Sequence, residues 1–343
     1  MSISKHGAAD AGNEGFPRKR SLVRQATDID DEDFCPFPST IADFGYYFND
    51  FGQLRNVKTG EPYLFQVRPD DLSYNQRRYE ALGDVITEHV YHLLETETRL
   101  TRITVPVNAQ DDEPSSFIFA SEDVFANKDR LLILIHGSGV VRAGQWSRRL
   151  IINDSLKKGT QLPFIRRAQG LGYAVIVLNT NDTHRTINGV RVPVRECETP
   201  EKHARHVWEF IVEKKAPARH IAVVAHSYGG VVAVNVAMEF FGSFSSRVFA
   251  VALTDSVHSF MRQKVHPRVG QFFYQVGRNW VSSPEPLDRP LRERHDGTAD
   301  VRRVSAGTVT HEMTSWSCFA SVFEFLGTAY HKMLAANGEH SDS

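Results

Sequence analysis

A serine between small residues, in the run Ala225-His226-Ser227-Tyr228-Gly229, has the spacing of a nucleophile held in a sharp turn. An apolar run the length of a buried strand, Ile221–Ala225, precedes this serine, and a helical run, Val231–Phe241, follows it. A turn of this kind exposes the serine hydroxyl and leaves room only for small side chains beside it. The pattern therefore predicts a nucleophilic Ser227. The alternative is an ordinary strand–turn–helix with an incidental serine.

Acid–base partners for such a serine follow it at the ends of later predicted strands. His311 comes after the last of these strands. Two carboxylates compete for the acid: Asp255 directly follows the strand Val248–Leu253, and Asp288 follows the strand Asn279–Ser283, at the more usual position. The acid must hold the imidazole tautomer and stabilise its protonated form. We slightly favour Asp288 and keep Asp255 as the alternative, although Asp255 and His311 could each simply cap a neighbouring turn or helix.

A glycine-rich turn could supply the second half of the chemistry. His136-Gly137-Ser138-Gly139 follows the fully apolar run Leu131–Ile135, which fits a strand buried on both faces. Backbone N–H groups of Gly137 or Ser138, together with that of Tyr228, would stabilise an oxyanion on the substrate. The alternative for this turn is an ordinary strand-to-helix connection.

The remaining elements must place these turns at one edge of a sheet. Strands alternating with helices predict a mostly parallel central sheet covered by helices on both faces. The order serine, acid, histidine along the chain is that of the α/β-hydrolase fold, which is the fold we expect. Two early strands, Arg102–Val107 and Ser116–Ala120, should form its antiparallel N-terminal edge. The other predicted elements are a β-meander within Phe37–Val67 (Tyr46–Phe48, Leu54–Lys58 and Tyr63–Val67), a helix Tyr74–Glu97 capped by Asp71 or Ser73, two helical segments within Val141–Gly170, a strand Tyr173–Leu178, a surface loop Thr180–Thr199, and helices Pro200–Lys215, Val265–Val276 and Thr314–Leu334.

Composition narrows the class of protein. The 343 residues carry a formal net charge of −1, which gives no bulk attraction to nucleic acid or to an anionic membrane. Three widely spaced cysteines predict a reducing compartment, and we expect neither a signal peptide nor a membrane span. His203 and His206 lie three apart without a third ligand, so we expect no metal and no cofactor. The predicted organisation is a disordered tail 1–36, one domain 37–334 and a flexible tail 335–343.

Several longer blocks resemble the Argonaute-binding (Arb-type) domain family and its vertebrate cotranscriptional-regulator branch. The resemblance covers about 37–325. The blocks that carry it are Leu134–Trp146, Arg148–Asn153, Ala225–Gly230, Ala252–His258, Asn279–Ser283, Pro286–Asp288, Val304–Thr308 and His311–Glu312. It implies an α/β-hydrolase fold used in nuclear RNA silencing, heterochromatin formation and splicing, with Ser227 at the position of the family's proposed nucleophile. The loop Thr180–Thr199 is shorter than in those relatives, and the chain lacks their basic tail.

Two functions remain open at this point. The resemblance favours an adaptor in the nucleus, with a cytoplasmic pool as a second expectation. It implies as partners an Argonaute protein and chromatin-remodelling or splicing factors, and contact with small RNA would be indirect. The segment Arg142–Asn153, which no acyl-transfer chemistry requires, supports the adaptor. The residues themselves permit the alternative, an intracellular serine esterase or thioesterase that uses a Ser-His-Asp triad.

Overall fold

The predicted α/β architecture is present, and its strands follow the apolar runs of the sequence. A computed structural model describes residues 36–292 and 301–338. The chain divides after Phe37 into a first unit almost wholly outside those residues and a second, Pro38–Ser343, that contains the helices and strands of the fold. The predicted N-terminal tail and most of the predicted C-terminal tail lie outside the described residues. In the described residues, no helix is long and apolar enough to cross a membrane.

The strands are short and lie close to their predicted positions. They are β1 Tyr46–Phe48, β2 Leu54–Asn56, β3 Leu100–Val105, β4 Ser116–Ser121, β5 Arg130–Ile135, β6 Tyr173–Val177, β7 His184–Ile187, β8 Val190–Pro193, β9 His220–His226, β10 Val248–Thr254, β11 Gly277–Val281 and β12 Arg302–Ser305.

The helices occupy the connections between these strands. They are α1 Leu72–Thr98, α2 Arg148–Asn153, α3 Leu156–Gly159, α4 Leu162–Gly170, α5 Pro200–Val207, α6 Gly229–Glu239, α7 Phe241–Arg247, α8 Pro267–Val276, α9 Thr314–Ser317 and α10 Phe319–Asn337, with short 3₁₀ turns at Glu122–Phe125 and His311–Met313. Asp71, one of the two predicted caps, accepts a hydrogen bond from the Tyr74 N–H at the start of α1.

The central sheet confirms the predicted fold class. Among the described residues it contains eight strands in the order β12-β11-β10-β9-β5-β6-β4-β3. The strands from β12 to β6 pair in parallel, and β4 and β3 form the antiparallel edge. Every residue of β9 is buried, because Ile221 and its alternate neighbours pack into one core cluster while Ala222 and Val224 face the opposite side. Helices therefore cover both faces of the sheet. Because β5, β9 and β10 run parallel, their carboxyl ends lie at the same edge of the sheet.

Three local predictions were wrong. The third strand of the meander, Tyr63–Val67, is irregular; its aromatic rings pack on Tyr79 of α1 in place of strand pairing. The loop Thr180–Thr199 contains the antiparallel hairpin β7–β8, which turns at Asn188-Gly189 with both residues at positive φ. The helix Pro200–Lys215 is α-helical only as far as Val207 and continues as a π-helical turn, Trp208–Glu213.

The close approach of α6 to β5 gives a test of this packing. An added Cβ at Gly229 would lie 2.5 Å from the Ile135 carbonyl oxygen and 2.8 Å from that of His136. Because neither backbone oxygen can move without disturbing the sheet, Gly229→Ala should lower the free energy of unfolding by about 1–3 kcal/mol in urea denaturation. Gly327 of α10 has no atom within 4 Å of such a Cβ. Gly327→Ala should raise stability by about 1 kcal/mol through helix propensity. Equal effects of the two substitutions would contradict the packing.

Candidate active site

Ser227 lies in the strained turn that the motif predicts. It follows the last residue of β9 and has φ +52°, a left-handed conformation that a residue with a side chain adopts at a cost. The turn is held from the side, because the Ser227 N–H donates to the Thr254 carbonyl at 3.0 Å and the Ser227 carbonyl accepts from the Val257 N–H at 3.2 Å. No group in the described residues hydrogen-bonds the Ser227 hydroxyl, which leaves that oxygen available to a substrate.

His311 pairs with Asp255, the second of the two predicted acids. The His311 Nδ1–H donates to Asp255 Oδ2 at 2.7 Å, and Asp255 Oδ1 accepts from the Ser282 N–H at 3.0 Å. This arrangement fixes the tautomer that leaves Nε2 as the acceptor. No hydrogen bond engages His311 Nε2 within residues 36–292 and 301–338. Asp255 directly follows β10 and Ser227 directly follows β9, and these two strands are parallel neighbours in the sheet.

The preference for Asp288 as the partner of His311 is corrected. Asp288 Oδ1 accepts from Trp280 Nε1 at 2.7 Å, and Oδ2 accepts from the Ser321 hydroxyl at 2.6 Å. Both carboxylate oxygens are therefore committed to joining β11 to α10. The sequence order Ser-acid-His fits both aspartates, and only the three-dimensional structure separates them.

Hydrogen bonding sets the charge of the Asp255–His311 pair. Burial raises the pKa of Asp255, but the hydrogen bonds from His311 and Ser282 outweigh burial and hold that pKa below its ordinary value. The same contact with Asp255 raises the pKa of His311 above its ordinary value of 6.5. The imidazolium form is stabilised, as a general base requires when it takes up a proton.

Sequence reasoning missed a second histidine that supports His311. The ring of His226 lies against that of His311, with centroids 4.8 Å apart. His226 is buried and donates from Nδ1 to the Thr254 carbonyl at 2.9 Å, and burial lowers its pKa to about 4. The Thr254 and Ser315 hydroxyls lie 2.7 Å apart and join β10 to the start of α9. Because of this low pKa, the His226 ring that packs against His311 is uncharged at neutral pH. The signal for His226 in the sequence was its position directly before Ser227.

Free backbone donors lie where the sequence predicts an oxyanion hole. The N–H groups of Gly137, Ser138 and Tyr228 have no acceptor in the described part of the chain. A Cβ built on Gly137 would lie 3.2 Å from Ser227 Cβ. The glycine-rich turn therefore packs directly against the elbow, which is the sharp turn Ala225–Gly229. Their roles as oxyanion donors, like those of Ser227 and His311 in catalysis, stay predictions.

Asn181, which sequence reasoning did not single out, orients the glycine-rich turn. Its Nδ2 donates to the carbonyls of Gly137 at 2.9 Å and of Val141 at 3.0 Å, and His136 Nδ1 donates to the same Gly137 carbonyl at 2.8 Å. Because a trans peptide places its C=O and the following N–H on opposite sides, this anchoring turns the Ser138 N–H away from Asn181. An asparagine soon after the strand β6 was the only signal in the sequence.

The two histidines of α5, His203 and His206, accept hydrogen bonds from backbone N–H groups. His203 Nε2 accepts from the Asn179 N–H at 3.3 Å, and His206 Nε2 accepts from the Val107 N–H at 3.1 Å. Burial lowers the pKa of His203 to about 3, so it stays neutral. Across the described residues, no group of three His, Cys, Asp or Glu side chains is arranged to hold a metal ion.

A cleft of about 470 Å³ opens beside the Asp255–His311 pair. Its floor includes Asn279, which accepts from the Ser256 N–H at 3.2 Å. Arg262 and Arg303 contribute to its walls, while Ser227 lies outside the residues that line it. A molecule held in this cleft would lie against Asp255 and His311, which both line it.

These features define an α/β-hydrolase fold with a serine, a histidine and an aspartate at the carboxyl edge of its sheet. The chain belongs to the Arb2 domain family, whose model matches residues 37–287. It is 42% identical to "Cotranscriptional regulator ARB2A" of Mus musculus and 41% identical to "Cotranscriptional regulator ARB2A homolog" of Xenopus tropicalis; each match spans 87% of this chain and 82% of the relative. A solved structure titled "Structure of the histone deacetylase Clr3" shares the fold, with TM-score 0.50 at 16% identity over 80% of this chain and 42% of that one.

The assignment of the acid is testable without any activity. Asp255→Asn removes the charge that stabilises the His311 imidazolium, so the pKa of His311 should fall in an NMR titration of its ring protons. Asp288→Asn is the matched control, because Asp288 hydrogen-bonds Trp280 and Ser321 and should leave that pKa unchanged. A fall with Asp288→Asn alone would reverse the assignment.

Proposed function

We propose that this chain is a cotranscriptional regulator that carries a working serine acyl-hydrolase site. The observation that supports the chemistry is the set of free groups at the elbow. The Ser227 hydroxyl and the N–H groups of Tyr228 and Ser138 have no partner in the described residues, while His311 Nδ1 is committed to Asp255. A purely structural turn gains nothing from a strained serine with a free hydroxyl.

The proposed reaction is hydrolysis of an ester or thioester in two steps. Ser227 Oγ attacks the acyl carbon and passes its proton to His311 Nε2; the carbonyl π electrons move to oxygen, where the free N–H groups stabilise the anion. Collapse breaks the bond to the leaving alcohol or thiol, which takes the proton from His311. Water then adds to the acyl-enzyme with the same proton transfers, and a carboxylic acid leaves. Each oxyanion donor contributes on the order of 3 kcal/mol to such a transition state.

Labelling with a fluorophosphonate probe tests the nucleophile. The wild type should be labelled, and Ser227→Ala should reduce labelling by at least about 10³-fold, because the attacking oxygen is gone. The rate should fall as pH decreases through the His311 pKa, which lies above 6.5, because a protonated imidazole accepts no proton. Ser246→Ala, at an exposed position of α7, is the control and should label like the wild type. An unlabelled wild type, or equal labelling of Ser227→Ala, would exclude this nucleophile.

The regulatory half of the proposal rests on the relatives. Two proteins matched over 87% of this chain are named cotranscriptional regulators. We therefore propose that this chain acts in the nucleus through an Argonaute protein and through chromatin-remodelling or splicing factors, in RNA silencing, heterochromatin formation and alternative splicing. Its net charge of −1 favours indirect contact with small RNA.

The segment Arg142–Asn153 does not support this half, contrary to our expectation. Gln145, Trp146 and Arg148 are buried. The Trp146 ring packs edge-on against Phe164 and His226, beneath the elbow. These buried residues therefore pack beside the site, and the exposed residues Arg149 and Asn153 are the part of the segment that a partner can reach.

Affinity purification from nuclear extract tests the regulatory half. Tagged wild type and Ser227→Ala should both retain an Argonaute protein with chromatin or splicing factors, because the loss of one hydroxyl changes a protein interface little. An esterase of the same fold, outside the family, is the control bait. Absence of these factors from both samples would exclude the regulatory half, and robust Ser227-dependent ester hydrolysis would then define the protein as an enzyme.

A further inference from the structure

The cleft beside the acid–base pair carries an excess of positive charge. Arg262 and Arg303 both line it, and no carboxylate pairs with either guanidinium in the described part of the chain. Asp255 is the acidic residue of the lining, and its oxygens are already engaged by His311 and the Ser282 N–H. Within residues 36–292 and 301–338, the cleft therefore offers two guanidinium groups that no carboxylate neutralises.

Both arginines stand on well-anchored backbone. Arg303 belongs to β12 and lies beside Asn279 of β11 in the parallel register. Its side chain is half-buried, which reduces screening by water. The sheet therefore fixes the backbone position of Arg303 at the cleft.

The loop that carries Arg262 is fixed on both sides of that residue. Phe260 is buried and packs against Phe273 of α8. Gln263 Nε2 donates to the Val231 carbonyl at 3.0 Å and to Asn235 Oδ1 at 2.8 Å, both on α6. The Arg262 backbone is therefore held at the cleft although its side chain is exposed.

We infer that this cleft binds an anionic group of the acyl substrate, a carboxylate or a phosphate, while the acyl carbon lies at Ser227. The inference rests on the proposed hydrolase function. A planar guanidinium donates two parallel hydrogen bonds to either anion, and two such groups lining one cleft would select a charged acyl chain over a neutral one. Two arginines in a concave site of about 470 Å³ suit a small anion and are far from the extended basic track that a nucleic acid needs.

Paired substrates test the selectivity. The anionic probe is 4-nitrophenyl hydrogen adipate, the neutral one is its methyl ester, and a phosphonate-terminated analogue of equal length separates phosphate from carboxylate. The wild type should show a kcat/KM for an anionic probe about tenfold above that for the neutral ester, which is the worth of one charge-assisted hydrogen bond. Arg303→Gln and Arg262→Gln should each reduce this ratio severalfold. Arg167→Gln, on the exposed face of α4, should leave it unchanged. A ratio near one in the wild type, or one that both cleft variants preserve, would overturn the inference.

A binding measurement separates this inference from the hydrolase proposal. Calorimetric titration of Ser227→Ala with monomethyl adipate and with inorganic phosphate should show binding of at least one anion, and Arg303→Gln should weaken it. Binding without turnover in the wild type would support the anion site and reject the hydrolase. Turnover without anion binding, and with a selectivity ratio near one, would reject the anion site alone.

Discussion

The site depends on backbone hydrogen bonds that continue the parallel sheet beyond the ends of its strands. The Ser227 N–H reaches the Thr254 carbonyl at 3.0 Å, and the Asp255 N–H reaches the Trp280 carbonyl at 2.7 Å. Each residue turns out of its strand at positive φ, +52° for Ser227 and +45° for Asp255. The neighbouring strands β9 and β10 are thus each followed by a residue in the left-handed conformation. The main chain therefore sets the spacing of Ser227 and Asp255.

Behind this edge, burial keeps several imidazoles neutral. The pKa of His226 and of His136 falls to about 4, because each is fully enclosed. In the unfolded chain these groups titrate near 6.5. Their contribution to stability is therefore complete above pH 6.5 and is lost as pH falls towards 4, because the unfolded state binds the protons first. His311 has the opposite sign: its raised pKa stabilises the fold below 6.5, and this contribution disappears as pH rises through the folded value. Because the His311 ring is half-exposed, screening by solvent keeps its contribution to the free energy of unfolding small.

The sequence predicted the parts of the molecule that depend on local pattern. Buried strands such as β5 and β9 appear as unbroken apolar runs, and the elbow has a spacing that sterics impose. Choosing between Asp255 and Asp288 needed the register of β10 and β11 and the packing of α10, which no local pattern contains. The hairpin β7–β8 was missed although Asn188-Gly189 is a strong turn signal, because its strands have only four residues each and are largely exposed. Asn181 was missed because an orienting side chain leaves no periodic trace.

Catalytic and structural demands on the elbow can be separated residue by residue. The two glycines after the serine are required by packing alone: a Cβ at Gly229 would strike the Ile135 and His136 carbonyls, and one at Gly230 would overlap the Ser256 side chain. A chain that kept only the fold would need these glycines and would gain nothing from the serine. Ser227 holds a strained backbone conformation, and its hydroxyl bonds to nothing in the described residues. His311 donates from Nδ1 to Asp255, and its Nε2 has no hydrogen-bond partner in the described residues. Packing therefore accounts for the glycines of the motif, whereas no hydrogen bond within the described residues accounts for the hydroxyl of Ser227.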